Sequence, residues 1–79
     1  MKQQEYIIYV KEGCEMKTAQ MLDVLGIEYR LPFKSVELDG IEHLALSQNG
    51  IIYACFDPES KERILSLPYV IGIALAKNV

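Results

Sequence analysis

The side chains best suited to covalent chemistry in this chain are a cysteine and a histidine. Cys14 follows Gly13 at the predicted start of a helix, where the positive end of the helix dipole favours a thiolate. A nucleophilic cysteine also needs a base, and the only histidine, His43, lies far along the chain in a segment typical of a strand or loop. Because no pattern brings the two together, we predict that the protein is not an enzyme.

Metal binding and disulfide formation are equally poorly supported. The second cysteine, Cys55, forms no Cys-x-x-Cys pair with Cys14, and one histidine with two distant cysteines does not make a metal-ligand set. We predict two free thiols, no metal and no cofactor.

Tyrosines in predicted strands could stack nucleobases, as in sheet-type RNA-binding proteins. The residues concerned are Tyr6, Tyr9, Tyr29 and Tyr53. Such platforms lie among lysines and arginines, whereas this chain has 11 acidic against 8 basic residues and a net charge of −3. We therefore expect direct nucleic-acid binding to be absent or weak.

The elements that must position these residues begin with a strand and a helix. The segment Tyr6–Val10 is almost wholly β-branched or aromatic, which predicts a central strand buried on both faces. Helical spacing of apolar residues predicts a helix over Cys14–Leu25, ended by Gly26. Its apolar face would carry Cys14, Thr18, Met21, Leu22 and Leu25.

The middle of the chain predicts further strands. In residues 27–33, IEYRLPF, apolar and polar side chains alternate, which is typical of a strand with one solvent-exposed face. Pro32 ends that strand or places it at an edge. Apolar residues from Lys34 to Leu46 surround Asp39-Gly40, a hairpin-turn signal, and predict two short strands. Another strand is predicted over Ile51–Phe56, and its apolar content indicates a central position in the sheet.

The last third of the chain predicts a second helix and a final strand. Asp57 is expected to cap the helix, Pro58 occupies its first turn and Pro68 stops it. Ile64 and Leu65 would form its inner face, completed by Leu67. The final strand is predicted over Val70–Ala76, with Gly72 at a close approach of another group.

These elements predict a single domain over residues 1–79 of the α/β class, more closely an α+β sandwich. Two strand-helix-strand units place both helices on one face of a mainly antiparallel, ferredoxin-like sheet, with the first strand near its centre. The other face is left open, and this face or the edge of the sheet is where a partner could bind. The chain has no run of about 20 apolar residues and no signal-peptide pattern, so we predict a cytoplasmic protein that does not bind membranes.

Three segments resemble the N-terminal (NGN) domain of the NusG-type transcription elongation factors. YIIYVKEGCEMKTAQML is similar to that family's aromatic strand, glycine and helix, and GIEYRLPFK to its hydrophobic-Leu-Pro segment. The closest match is GIIYACFDPESKERILSLPYVIGI, with its Pro-x-Val-x-Gly exit at Pro68, Val70 and Gly72. The likeness covers most of the chain.

The resemblance implies a role in transcription elongation and antitermination through binding alone, with no covalent bond made or broken. An NGN domain docks through an apolar depression on the clamp coiled coil of the largest RNA polymerase subunit. Anchors of this kind can dominate an interface. Carried over by position, the partner-binding residues would be Tyr6, Ile8, Pro32, Phe33, Ile51 and Tyr53. The sequence leaves open whether Ile8 and Tyr53 lie on the surface or in the core.

Departures from the family keep a second hypothesis open. The chain lacks the family's C-terminal KOW domain, so it would be a stand-alone or an excised domain, and Asn49 and Ile51 stand where relatives often have proline and an aromatic residue. The alternative is a ferredoxin-like regulatory or oligomerisation domain that binds a small ligand or its own copy as a homodimer.

Overall fold

The computed structural model describes residues 3–76 and contains six strands and two α-helices. The elements in chain order are β1 (Gln4–Val10), α1 (Glu15–Val24), β2 (Glu28–Arg30), β3 (Phe33–Leu38), β4 (Ile41–Leu46), β5 (Ile51–Phe56), a short 3₁₀ helix (Pro58–Ser60), α2 (Lys61–Leu65) and β6 (Val70–Leu75). No helix within residues 3–76 has the length and apolar character needed to cross a membrane.

The strands form two antiparallel sheets. The larger has the order β2-β5-β1-β6, and β3 and β4 pair only with each other. The predicted α+β class is confirmed, as are the interior positions of the first strand and of Ile51–Phe56. Pro32 is predicted to end its strand or to place it at an edge, and both are found, because β2 ends at Arg30 and lies at one edge of the sheet.

Only one face of the larger sheet is buried. Side chains alternate along a strand, so Tyr6, Ile8 and Val10 of β1 join Ile52, Ala54 and Phe56 of β5 in one core. Leu22 of α1 and Ile64 of α2 are fully buried in the same core, so both helices cover this face. The prediction that β1 is buried on both faces is wrong, because its odd-numbered residues are half-buried or exposed on the other side.

Helix α1 begins and ends close to its predicted limits because its signals are local. Thr18 and Leu22 are fully buried on its inner face. Gly26 has a φ of +74°, and its N–H donates to the carbonyl of Asp23 at 3.0 Å. A left-handed residue at this position satisfies a carbonyl that the helix end leaves free.

The β3–β4 hairpin turns at Asp39-Gly40, as predicted. Asp39 (φ +52°) and Gly40 (φ +78°) are both left-handed, as a two-residue turn matched to the twist of the strands requires. Most side chains of this ribbon are exposed. It is held at its base, where the Ser47 hydroxyl donates to the Pro32 carbonyl at 2.7 Å.

The second helix differs from its prediction in several details. Asp57 stands at the N-cap position, but its side chain makes no capping hydrogen bond, and the first turn is 3₁₀. Helix α2 ends at Leu65, before Pro68, and Leu65 is 44% exposed, so its predicted inward position is wrong. Ile64 is buried, and Leu67, just after the helix, packs against the core as predicted. The prediction of a close approach at Gly72 is wrong, because a Cβ built there would have no heavy atom within 4 Å.

Candidate functional site

The face of the larger sheet opposite the helices is the candidate site, and we call it the open face. Strand register places its residues in rows across the sheet. Tyr53 stands between Arg30 and Ile7, and Ile51 stands next to Tyr9. Tyr9 is 40% exposed, and the side chains of Ile7, Ile51 and Tyr53 are half-buried. The open face is therefore an accessible surface with aromatic and aliphatic side chains at its centre.

A small polar cluster orders one end of the open face. The guanidinium of Arg30 lies 4.5 Å from the centre of the Tyr53 ring, which is cation–π geometry. The same guanidinium donates to Glu5 at 3.1 Å, and the Tyr53 hydroxyl donates to the amide oxygen of Gln48 at 3.2 Å. These contacts hold the Tyr53 ring in one orientation, because both its face and its hydroxyl are engaged.

Two of the six predicted partner-binding residues do not lie on this face. Tyr6 is 3% exposed and Ile8 is 0% exposed, and both point into the helix-covered core. The Tyr6 ring stacks on Phe56 with ring centres 4.3 Å apart. The prediction that they line a surface depression is therefore corrected. The physical reason is alternation: in the β1–β5 register Tyr6 lies opposite Ala54, whereas Tyr53 lies opposite Ile7.

The other four predicted residues remain accessible. Ile51 and Tyr53 share the open face, Pro32 is half-buried and Phe33 is 47% exposed at the base of the hairpin. Ser47 bonds to the carbonyl of Pro32, and the next residue, Gln48, bonds to the Tyr53 hydroxyl. This pair of contacts ties the base of the hairpin to the edge of the open face.

The hollow beside Tyr53 has a volume of about 260 Å³. Its lining includes Tyr53 and Cys55, but also the charged residues Glu5, Glu28 and Arg30. The predicted depression is therefore apolar only on the side of Ile51 and Ile7. At its other end it is bordered by charged side chains. A partner on this surface must leave the Arg30–Glu5 pair intact or replace it, because an unpaired charge in an interface is costly.

The residues considered for covalent or metal chemistry lie in different parts of the fold. Cys14 precedes α1 on the helix side of the sheet, Cys55 lies on the open face, and His43 is exposed on the hairpin. Both cysteines are free thiols. Within residues 3–76, no group of His, Cys, Asp and Glu side chains is arranged to hold a metal ion.

A buried carboxylate that the sequence analysis assigned to no site joins the helix to the sheet. Glu15 is 4% exposed, and its carboxylate accepts the backbone N–H of Gly13 at 2.9 Å and that of Gly50 at 2.6 Å. Burial alone raises a carboxyl pKa, but here the N–H groups of Gly50, Glu15 and Gly13 outweigh burial and hold the pKa of Glu15 below its usual value. Glutamate is common in a first helical turn, so no local signal distinguishes this one.

The helix-covered face also meets α1 through Tyr29 of β2, which lies opposite Ala54 and packs against the core. Its hydroxyl donates to the carboxylate of Asp23 at 3.1 Å. Burial, then this hydrogen bond and the negative charge of Asp23, raise the pKa of Tyr29. The phenol therefore stays a hydrogen-bond donor across the neutral range.

Gly50, whose N–H donates to the Glu15 carboxylate, has little room for a side chain. Gly50 has a φ of +76°, and a Cβ there would lie 3.0 Å from the carbonyl oxygen of Val10, which is backbone and cannot swing away. Gly13 also has a positive φ, of +91°, but a Cβ there would meet nothing within 4 Å. Substitutions at Gly13 and Gly50 therefore separate two free-energy costs. At both positions the left-handed backbone is strained, but only at Gly50 does the added Cβ also meet the Val10 carbonyl oxygen.

We expect Gly13→Ala to lower the free energy of unfolding by about 1 kcal/mol, because a left-handed L-residue is strained. Gly50→Ala should cost more, about 1.5 kcal/mol, because the added methyl group also crowds Val10. Urea denaturation followed by far-UV circular dichroism measures both. Equal losses would show that the contact with Val10 relaxes without cost.

Exposed apolar side chains on the hairpin form a second surface to which the sequence analysis gave no role. Leu38 (58% exposed) and Ile41 (60%) face each other beside the turn, and Leu44 is 73% exposed. Hydrophobic alternation predicted these strands, but it did not predict that the ribbon would lie outside the core.

No protein-family model matches the chain, and no curated protein matches it at a significant level.

Proposed function

We propose that this chain is a NusG-type N-terminal module, which binds the clamp coiled coil of the largest RNA polymerase subunit and acts in transcription elongation or antitermination. The two β-α-β units and the strand order β2-β5-β1-β6 support the ferredoxin-like arrangement that the resemblance implies. The motif residues Gly13, Pro32 and Pro68 follow the elements that the resemblance assigns to them. A polymerase partner also implies a cytoplasmic location.

The observation that carries the proposal is the uncovered sheet face. Ile51 and Tyr53 are accessible there, and the 47% exposed ring of Phe33 stands at the adjoining base of the hairpin. Aromatic side chains held rigidly at the centre of a surface are the usual energetic anchors of protein interfaces. Tyr53 fits this description because Arg30 and Gln48 hold its ring before any partner arrives.

The mechanism is association without covalent chemistry. The tip of a coiled coil would cover Ile51, Tyr53 and Phe33, and burial of their apolar surface would supply most of the affinity. The bound module would stabilise the closed form of the clamp, because it would bind that form more tightly than the open form. The acidic net charge of −3 fits a protein partner better than a nucleic acid.

We expect Phe33→Ala to weaken binding to purified core RNA polymerase by about tenfold or more while leaving the fold cooperative, because the Phe33 side chain is half exposed. Tyr53→Ala should weaken binding by at least as much and also lower stability modestly, since Tyr53 is partly buried. Biolayer interferometry measures the affinities and urea denaturation measures the stabilities.

Met16→Ala is the matched control. Met16 is 58% exposed on α1, on the other side of the sheet, so the variant loses an exposed apolar side chain without touching the open face. The proposal fails if wild-type protein shows no affinity for the polymerase, or if Met16→Ala weakens binding as much as Phe33→Ala. Failure would favour the alternative, a regulatory or oligomerisation domain.

A further inference from the structure

Strand β6 has an outer edge that no other strand covers within residues 3–76. The N–H of Ala76 donates to the carbonyl of Glu5 on β1 at 3.0 Å. Backbone groups of a strand point alternately to its two sides. The N–H groups of Gly72 and Ala74 therefore point towards β1, and those of Ile73 and Leu75 point away from the sheet. Ile71 is the extra residue at a register shift between β1 and β6 and has no partner on β1.

The two edges of the larger sheet differ in how they resist further pairing. At one edge, β2 has only three residues, two of them the charged Glu28 and Arg30, and Pro32 follows closely. Short length, charge and proline are the usual protections of an edge strand. At the other edge, β6 is six residues long and has neither charge nor proline over Val70–Leu75. Its register against β1 shifts at Ile71, and a bulge is a further edge protection, but residues 72–75 pair regularly with β1.

Two large apolar side chains along the β6 edge are also unusually exposed to solvent. Ile71 is 72% exposed and Leu75 is 52% exposed. Beside them the open-face positions are the small residues Gly72 and Ala74, and the space above Gly72 is empty. A second strand could therefore approach this edge without displacing any bulky group.

We propose that β6 pairs antiparallel with β6 of a second copy of the chain, joining the two four-stranded sheets into one. A two-fold axis through Ile73 gives the register that uses the outward N–H groups of Ile73 and Leu75. Ile73 then lies opposite its own counterpart, and this pair exchanges two backbone hydrogen bonds. Leu75 lies beside Ile71 of the second copy, where the strand is irregular.

The side chains of β6 are suited to pairing with the same strand of a second copy. In this register isoleucine and leucine face each other, Gly72 faces Ala74, and no two like charges are opposed because the strand carries none. Two-fold pairing of identical surfaces is the commonest form of oligomer. A strand of this length buries less than the roughly 800 Å² per partner of a standard interface, so the dimer is weak, with a dissociation constant on the order of 100 μM.

The test is sedimentation velocity on the full chain from about 5 μM to about 1 mM, a range chosen to span the weak affinity expected of a small interface. Wild-type protein should shift from monomer to dimer, and Ile71→Lys should raise the dissociation constant at least tenfold, because an edge lysine blocks strand pairing. Val24→Lys is the matched control: Val24 is 86% exposed on α1, and the change in charge is the same. It should dimerise like the wild type. Leu75→Lys replaces Ile71→Lys if that variant fails to fold by circular dichroism.

Two further measurements distinguish this edge from other surfaces. In hydrogen exchange, the amides of Ile73 and Leu75 should become protected as concentration rises, while those of Gly72 and Ala74, already bonded to β1, should not change. Leu44→Lys, on the exposed hairpin, should leave the dimer intact. The proposal is overturned if the wild type stays monomeric throughout, if Leu44→Lys rather than Ile71→Lys disrupts association, or if the outward amides stay unprotected in the dimer.

This inference does not depend on polymerase binding, because the two surfaces share none of the residues tested. Loss of polymerase affinity in Phe33→Ala leaves the β6 edge intact, and Ile71→Lys leaves Phe33 and Tyr53 in place.

Discussion

Ile8→Ala is expected to lower the free energy of unfolding by about 3 kcal/mol, within the usual range for truncating a buried isoleucine. Ile8 is 0% exposed on an interior strand, with Ile52 and Ile73 as its neighbours on the adjacent strands. Removing its outer carbons leaves a cavity that the paired strands on both sides cannot close. In a domain of this size such a loss is a large part of the total stability.

Ile7→Ala is the matched control, since it makes the same change on the same strand. Ile7 points to the open face and is half-buried, so we expect it to lose less than half as much stability as Ile8→Ala. Urea denaturation followed by far-UV circular dichroism compares the two. Equal losses would mean that both faces of β1 are covered in solution, which would contradict an accessible open face.

Glu15→Gln is expected to lower the free energy of unfolding by about 2 kcal/mol at neutral pH, the size of effect found for hydrogen bonds to a charged group. The amide removes the negative charge that accepts N–H groups from Gly13 and Gly50. Its own NH₂ group would also face a backbone N–H. The substitution therefore loosens the link between the start of α1 and the turn before β5.

The same residue predicts a dependence of stability on pH. The folded-state pKa of Glu15 is lowered, so its stabilisation is fully present above the unfolded-state pKa, about 4.3 for a glutamate. The stabilisation declines as pH falls below that value and is lost once pH is below the folded-state pKa. Stability of the wild type should therefore fall more steeply than that of Glu15→Gln on acidification.

Glu12→Gln is the control for this pair of measurements. Glu12 is exposed and lies near Glu15 in sequence, so its substitution changes the net charge equally without touching the buried contact. Denaturation curves between pH 7 and pH 3 should show Glu12→Gln parallel to the wild type. Parallel curves for wild type and Glu15→Gln would show that the carboxylate is not held in its charged form by the fold.

Features that depend on neighbours in the chain were predictable from the sequence. Gly26 ends α1 because glycine reaches a left-handed φ without strain, and Asp39-Gly40 makes the hairpin turn for the same reason. The α+β class followed from the order of strands and helices. The four accessible candidate residues, Pro32, Phe33, Ile51 and Tyr53, were chosen from a resemblance, and their role in binding stays a prediction.

Features that depend on contacts distant in sequence were not predictable. Tyr6 and Ile8 were grouped with Tyr53 by position in the resemblance, but the face of each is set by the pairing of β1 with β5. The burial of Glu15 depends on Gly50, and no pattern near Glu15 indicates that partner. Asp57 occupies the expected position for a cap, yet its side chain makes no capping hydrogen bond.

By itself the sequence determined where most helices and strands begin and end, because backbone conformation, turn geometry and hydrophobic period are properties of nearby residues. Only the tertiary structure decided which side of each strand meets the helices, which carboxylate is buried, and which edge of the sheet is left unprotected. These depend on strand register, and a register shift of one residue exchanges the buried and exposed faces while changing nothing in the local sequence pattern.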